Sequence, residues 1–482
     1  MNDSSAKSVR SWPGLWLIFV VLFVFLGTRG LNEPDEGRYA EVAREMAVGG
    51  SWLVPHLNGF EHLQKPPIIY WFTAISMKVF GFNEWAARMP SALAACGILL
   101  LTMVIARRLW GEKRARIAAI VLISALLFFV LARALTPDML MSFFIIAAIA
   151  ALVYERCWLF FIMMGFGFLT KGPMAMVVPL CASLGIYLAR DRSLPRRHFP
   201  WIRGMCLALL IGLSWFIVLA VLKPSLFEYF WRYELLDRFA SSKHGRSKPF
   251  WFFAPILIAG LLPWTFLMPG LIRQAWFQIR AKQVSPTQGL LLGWTVLPLL
   301  ILSLSGSKLL TYVLPLMPAF ALAISTRFTD TRKVYRVAVP FLVFMVVAAS
   351  LMPWANPWMQ QQADVRSLVE TIQKQPDANT AAIFAHGVRA HGVEFYLRKL
   401  IHITGKEADI VMPLNPEQQA RVVEDGEKCA ELFRKRPAYG IIRSRSFERY
   451  YAPLGWTMLG QSGDFILVGN AELLARDSTV LH

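Results

Sequence analysis

The sequence predicts a polytopic α-helical membrane protein of about eleven spans, followed by a small soluble α/β domain. Three observations predict it. The 482 residues are 56% hydrophobic and only 17% charged, with a mean hydropathy of +0.46, whereas soluble domains carry roughly 25% charged residues. Many apolar runs approach the roughly 20 residues that cross a bilayer. After Pro353 the apolar runs give way to shorter amphipathic and alternating patterns.

The spans are expected at Trp12–Gly27, Ala86–Ala106, Ile117–Ala134, Met139–Tyr154, Trp158–Thr170, Met174–Ala189, Gly204–Leu222, Phe250–Leu271, Gly289–Leu304, Leu309–Thr326 and Val334–Leu351. The first has a basic start (Lys7, Arg10) and no A-x-A cleavage pattern, so it reads as an uncleaved span. Alternate connections, such as "ARRLWGEKRAR", "ARDRSLPRRHFPWIR" and "TRFTDTRKVYR", are rich in Arg and Lys. Positive loops stay cytoplasmic, which places the N-terminus there too. That pattern also accounts for the net charge of +19 without nucleic acid. The five cysteines show no zinc or disulfide spacing.

The remaining loops face outward and are mixed in charge. Two are long, residues 29–85 and 223–249. Residues 1–352 are thus read as a membrane domain and 353–482 as a periplasmic domain of two helix-strand repeats and a hairpin at "WTMLGQSGDFILVG". Ile68–Gly81 is apolar but short, which fits a re-entrant or interfacial segment.

Polar residues gather in the outward loops. In "RGLNEPDEGRYAEVAREM", Asn32 or Asp35 could cap a helix with acids at its positive end. Tyr39, Val42, Ala43 and Met46 would share one face, as on a membrane surface. Asp35 or Glu36 could instead face a substrate. Lys65 of "HLQKPP" either snorkels or holds an anion. Asp138 of "RALTPD" either complements a helix dipole or supplies a second acid. Lys171 of "LTKGP" is a charge in an apolar region, a functional candidate by default. In "SSKHGRSKPFWFF", His244 lies in a basic cluster whose Arg246 can grip a phosphate bidentately. Lys308 and Tyr312 lie one helical turn apart. Cations suit a phosphate leaving group, and an acid can act as base or steady an oxocarbenium ion. A sugar on a lipid phosphate is the natural donor at such a face.

The ordered motifs "NEPDEGRYAEVAREM", "QKPPIIYW", "RALTPDML", "LTKGP", "HGRSKPFWFF" and "SKLLTYVLPLMPA" resemble the polyprenyl-phosphate-sugar glycosyltransferases of the GT-C fold. Within these, the bacterial lipid A aminoarabinose transferases are most similar, and protein O-mannosyltransferases are related. The resemblance covers residues 12–326. It implies that Asp35 is the catalytic acid, with Arg38 and Tyr39 beside it. It implies that Lys65 and Arg246 bind the lipid phosphate, and that Asp138, Lys171 and Tyr312 line the site. It also implies an undecaprenyl-phosphate sugar donor and a lipid A acceptor in the bacterial inner membrane. A phosphate acceptor is already ionised, so Asp35 would then orient the sugar or its amine. Relatives carry Glu before the KPP lysine as part of a structural zinc site; Gln64 stands here, which weighs against zinc. The chain also shows fewer C-terminal spans than those enzymes.

The expected activity is therefore sugar transfer from undecaprenyl phosphate to lipid A or its core. The alternative within the class is another sugar and a polysaccharide, glycolipid or protein acceptor. A flippase would need mid-membrane polar groups and an inverted repeat, and the sequence shows neither.

Overall fold

The computed structural model describes residues 20–189, 199–224, 248–355, 364–375, 377–404, 414–423 and 425–470. The chain divides into two compact units, one of Met1–Leu26 with Met89–Ala349, the other of Gly27–Arg88 with Ser350–His482.

The first unit is helical. Four helices are long and apolar enough to cross a membrane: Glu84–Trp110, which begins in the second unit, Trp201–Leu222, Pro286–Leu304 and Thr331–Leu351. Two further helix pairs are apolar enough to cross only when taken together and are sharply bent, Glu112–Ile123 with Leu126–Ala132 at 70° and Phe250–Gly260 with Trp264–Arg280 at 112°. Shorter apolar helices occupy Pro137–Val153, Cys157–Lys171, Met174–Ala189 and Leu310–Ser325. The apolar segments expected from Ala86 onward are thus helical at their places. Length alone qualifies four of these helices as spans, or six with each bent pair counted once. Half of the first expected span lies outside the described residues, and so does most of the second long loop.

Apolar solvent provides no hydrophobic drive between helices, so they associate by close packing of small residues. The Met174–Ala189 and Pro286–Leu304 helices show this most clearly. A Cβ added at Gly289 would lie 2.3 Å from Gly185 O, and one at Gly293 would lie 2.3 Å from Cys181 O. The two backbones touch because Gly185, Gly289 and Gly293 have no side chains.

The second unit joins residues from both ends of the chain. Strands β1 (His56–Leu57) and β2 (Phe60–Glu61) form a hairpin in the first long loop. Its turn residues Asn58 and Gly59 both have positive φ, 53° and 73°, as a type I′ turn requires. Strands β3 (Ala382–His386), β4 (His402–Thr404), β5 (Val422–Val423), β6 (Ala438–Arg443), β7 (Thr457–Ser462) and β8 (Phe465–Gly469) form one sheet in the order β5-β4-β3-β6-β8-β7. The first four are mutually parallel, and the β7–β8 hairpin adds two antiparallel strands.

Side chains alternate across a strand. Ile383, Ala385, Ile441 and Leu467 pack with Val365, Leu368 and Ile372 on one face. Phe384, Ile442 and Val468 pack with Phe433, Tyr451 and Trp456 on the other. Both faces are covered, as a largely parallel sheet needs.

The sequence pattern puts the helix Asp35–Gly49 on a membrane surface. Instead Glu36, Glu41 and Arg44 are buried as well as Tyr39, Val42, Ala43 and Met46. It packs against the helices Ile68–Phe80 and Gly392–Leu397. Several hydrogen bonds fasten this loop to the helix Gly392–Leu397 and the Ile401 backbone that follows it. Leu31 N donates to Tyr396 Oη at 2.9 Å, and Gly392 N donates to Glu33 Oε1 at 2.6 Å. Asn58 exchanges two bonds with the Ile401 backbone, both 2.9 Å. Helix Ile68–Phe80 leaves Phe72, Ile75 and Val79 exposed on one stripe, in keeping with an interfacial segment.

Candidate active site

The candidate residues fall into one cluster in each unit. In the second unit, the helix Asp35–Gly49 begins after Pro34, and no side chain caps it. The expected Asn32 or Asp35 cap is absent because Pro34 occupies the N-cap. The Asn32 carbonyl instead accepts from Glu36 N at 2.9 Å, and Glu36 Oε2 accepts from Asn32 N at 3.0 Å.

Glu36 and Asp35 have separate fates. Glu36 is buried between two guanidinium forks. Arg29 bonds its oxygens at 2.7 and 3.1 Å, and Arg88 at 2.8 and 3.0 Å. Burial alone would raise the Glu36 pKa, but the charges of Arg29 and Arg88 outweigh it and hold the carboxyl well below the usual range. Glu36 is thereby a fixed structural anion. Asp35 has a 71% exposed side chain and pairs with Arg38 Nη2 at 2.5 Å. The Arg38 guanidinium also lies over the Tyr39 ring, 5.3 Å from its centre. Tyr39 itself is buried, its ring 6.0 Å from that of Tyr70. Lys65 is half-buried just before Pro66, and its charge is felt at His62.

Two more acids near this helix start behave differently. Burial pushes the Glu33 carboxyl well above its ordinary pKa, reinforced by the nearby charges of Glu394 and Asp364. Hydrogen bonding from the Gly392 and His391 backbone opposes the shift without cancelling it. Glu41, fully buried, makes a bidentate pair with Arg44 at 2.6 and 2.7 Å.

The first unit holds Asp138, Lys171 and Tyr312. Thr136 caps the helix Pro137–Val153 and Pro137 occupies its first position, as N-termini favour. Asp138 follows, 2% exposed. Its Oδ2 accepts from Thr136 Oγ1 at 2.9 Å and pairs with Lys171 Nζ. Its Oδ1 is buried without a hydrogen-bond partner among the described residues. Lys171 ends the helix Cys157–Lys171, and its ammonium lies 5.2 Å from the centre of the Tyr312 ring. Acid, cation and aromatic from three separate motifs therefore meet in one place.

Lys308 does not share a helical face with Tyr312. It precedes the 3-10 turn Leu310–Leu316, which starts only after extended Leu309. Its ammonium bonds Lys248 O at 3.0 Å and Ser305 O at 2.6 Å. Lys308 thus ties the end of one loop to another. His244 and Arg246 lie outside the described residues. Among the described residues, no group of three or more His, Cys, Asp or Glu is placed to hold a metal ion.

Sequence reasoning missed Arg29 and Arg88. Arg88 carried a signal: it is a charge at the start of an apolar run, and such charges are rare unless paired.

Residues 64–217 match the dolichyl-phosphate-mannose-protein mannosyltransferase family. An undecaprenyl phosphate-alpha-4-amino-4-deoxy-L-arabinose arabinosyl transferase of Sodalis glossinidius (strain morsitans) is 35% identical over 331 residues, 65% of this chain. The chain spans only 58% of that relative's length. The transferase of the same name from Serratia proteamaculans (strain 568) is 30% identical over 380 residues, 73% of this chain and 68% of the relative. Among solved structures, ArnT from Cupriavidus metallidurans bound to undecaprenyl phosphate superposes with a TM-score of 0.80 at 22% identity, covering 95% of this chain and 98% of that one. The fold is the same, and the Serratia protein is matched over more than two thirds of its length. On these grounds the chain belongs to the family of undecaprenyl phosphate-alpha-4-amino-4-deoxy-L-arabinose arabinosyl transferases.

Proposed function

We propose that this protein is a bacterial inner-membrane glycosyltransferase that moves 4-amino-4-deoxy-L-arabinose from undecaprenyl phosphate to a phosphate of lipid A on the periplasmic side. The observation that carries the reading is the separation of two adjacent acids. Glu36 is locked by Arg29 and Arg88. Asp35 stands exposed beside it with Arg38 at hand, so it is the carboxylate available to a substrate.

In the reaction, the bond from the sugar's anomeric carbon to the donor phosphate breaks. A bond from that carbon to an acceptor phosphate oxygen forms. The acceptor is already ionised, so no proton need be removed. The departing undecaprenyl phosphate gains one negative charge, and cations fixed beforehand stabilise that change. Lys65 is proposed for this task, with Arg38 and Tyr39 positioning Asp35. Asp35 steadies the positive charge that develops on the sugar ring. Asp138 holds Lys171 in place through their ion pair.

Asp138 and Lys171 sit at helix ends rather than at helix centres. That supports surface chemistry over transport through the bilayer. The test incubates the purified full-length chain with undecaprenyl-phosphate aminoarabinose and lipid A. A mass gain of one aminoarabinose on lipid A is expected; lipid A of unchanged mass refutes the reading. Mass spectrometry of envelope glycolipids with and without the protein separates it from transfer of another sugar or to another acceptor.

A further inference from the structure

Tyr70 is the fifth residue after Lys65 in "KPPIIYW". Its side chain is fully buried, and its hydroxyl has no hydrogen-bond partner among the described residues. Thr73, one turn further along the same helix, is also fully buried with an unpartnered hydroxyl. Among the described residues, His62, 4% exposed, has no partner for Nε2, and Arg38 has none for Nε.

Tyr70, His62 and Arg38 lie together near the start of the Asp35–Gly49 helix. Asp35 bonds Arg38, Arg38 lies over Tyr39, and the Tyr39 ring lies 6.0 Å from that of Tyr70. A buried polar group without a partner costs roughly 1–3 kcal/mol. Phenylalanine would fill the same volume at position 70 without that cost. Three such groups near one exposed acid, Tyr70, His62 and Arg38, need an explanation that packing does not supply.

We propose that Tyr70 Oη, with His62 Nε2 and Arg38 Nε, forms a subsite for the hydroxyl groups of the sugar carried by the polyprenyl phosphate. The assignment rests on the sugar-transfer reading above. Tyrosine hydroxyls donate and accept, which suits a sugar hydroxyl. Burial, with the charges of Arg38, His391 and Lys65, holds His62 well below its ordinary pKa, so its ring is neutral and offers one nitrogen of either kind. The surrounding cations Arg38 and Lys65 disfavour the sugar's ammonium here and leave its hydroxyls as the better fit. A prenyl chain would leave every one of these groups unpaired.

Tyr70→Phe removes one oxygen that bonds nothing among the described residues. The full-length variant should therefore melt no lower than wild type. Its kcat/KM with undecaprenyl-phosphate aminoarabinose should fall roughly 10–100-fold, the usual effect of removing a hydrogen bond to substrate in a dry site. Its Kd for undecaprenyl phosphate without sugar should be unchanged, while its Kd for the sugar-bearing lipid rises. Wild-type kcat/KM, an effect on acceptor KM alone, or weakened binding of the sugar-free lipid would each overturn the assignment. A melting point lowered by several degrees would do the same, because the hydroxyl would then be structural. Wild-type protein that transfers no sugar refutes the transferase reading. In that case the two lipid affinities still decide the role of Tyr70.

Discussion

Arg88→Met probes the buried fork that fixes the start of the Asp35–Gly49 helix. Arg88 is fully buried. Its guanidinium bonds Glu36 twice, and it also bonds Arg29 O at 2.9 Å and Gly30 O at 2.6 Å. Methionine keeps the apolar stem and removes all four bonds. Deleting one member of a buried ion pair costs about 3–5 kcal/mol, because the survivor stays charged and dry. Arg29 still neutralises Glu36, which favours the lower end, while the Arg29 carbonyl loses its Arg88 donor and Gly30 O keeps only a long bond from Arg29 Nη1 at 3.4 Å, which adds roughly 1–2 kcal/mol. The sum is about 4–5 kcal/mol. A unit of roughly 200 residues shifts by about 2–4 °C per kcal/mol, so the melting point should fall by roughly 8–20 °C. Scanning fluorimetry of the full-length protein in detergent measures it. A shift under about 2 °C refutes the reasoning. The variant Arg88→Met/Glu36→Gln should recover part of the loss; equal or greater destabilisation would mean the guanidinium does not act on Glu36. The acid limb offers a second readout. Glu36's pKa is lower in the folded protein, so its contribution is present above the unfolded value of about 4.3 and is lost as pH falls through the folded one. Without Arg88 that loss should be smaller and complete at a higher pH.

Asp35→Asn should lower transfer by at least about 10²-fold with an unchanged melting point, since its side chain is 71% exposed; wild-type turnover of the purified variant refutes the assigned role. Glu33 has a raised folded pKa, so its contribution weakens as pH rises from the ordinary carboxylate range through the folded value. Glu33→Gln keeps an acceptor for Gly392 N and should melt higher than wild type at pH 7, with the gain vanishing below about pH 4; a gain that is independent of pH contradicts the burial argument. Gly289→Val places a Cβ 2.3 Å from the Gly185 carbonyl, so two helices must part at a cost of about 1–3 kcal/mol; unchanged detergent stability would deny the close seam.

The apolar helices are legible in the sequence because bilayer hydrocarbon selects long runs of one character. The Met174–Ala189 helix has the expected bounds. The β7–β8 hairpin is legible from alternation around Gly463. The convergence of Asp138, Lys171 and Tyr312 follows from resemblance rather than from any local pattern. The fork on Glu36 is not legible, because Arg88 lies 52 residues from its partner and nothing nearby encodes the pairing. Pro34 displaces the expected cap, since a helix start is set by backbone geometry as well as by capping residues. Tyr70 looks like an ordinary aromatic in an apolar run, and only its unpaired hydroxyl marks it. "LNGF" holds an Asn-Gly turn signal from which the β1–β2 hairpin could have been expected.

The second unit gathers its parts from two segments far apart in the chain, Gly27–Arg88 and Ser350–His482. About 260 residues separate the two pieces, and at 5–20 residues per second their synthesis is spaced by roughly 13–50 s. Throughout that interval the segment with Asp35 has been made, but the partners for Leu31, Glu33 and Asn58 do not yet exist. Ribosomes that stop early would therefore release chains with a membrane bundle and an unanchored Asp35 segment. Synthesis of residues 392–401 is therefore the step that supplies the anchors of the Asp35 segment, long after that segment itself has left the ribosome.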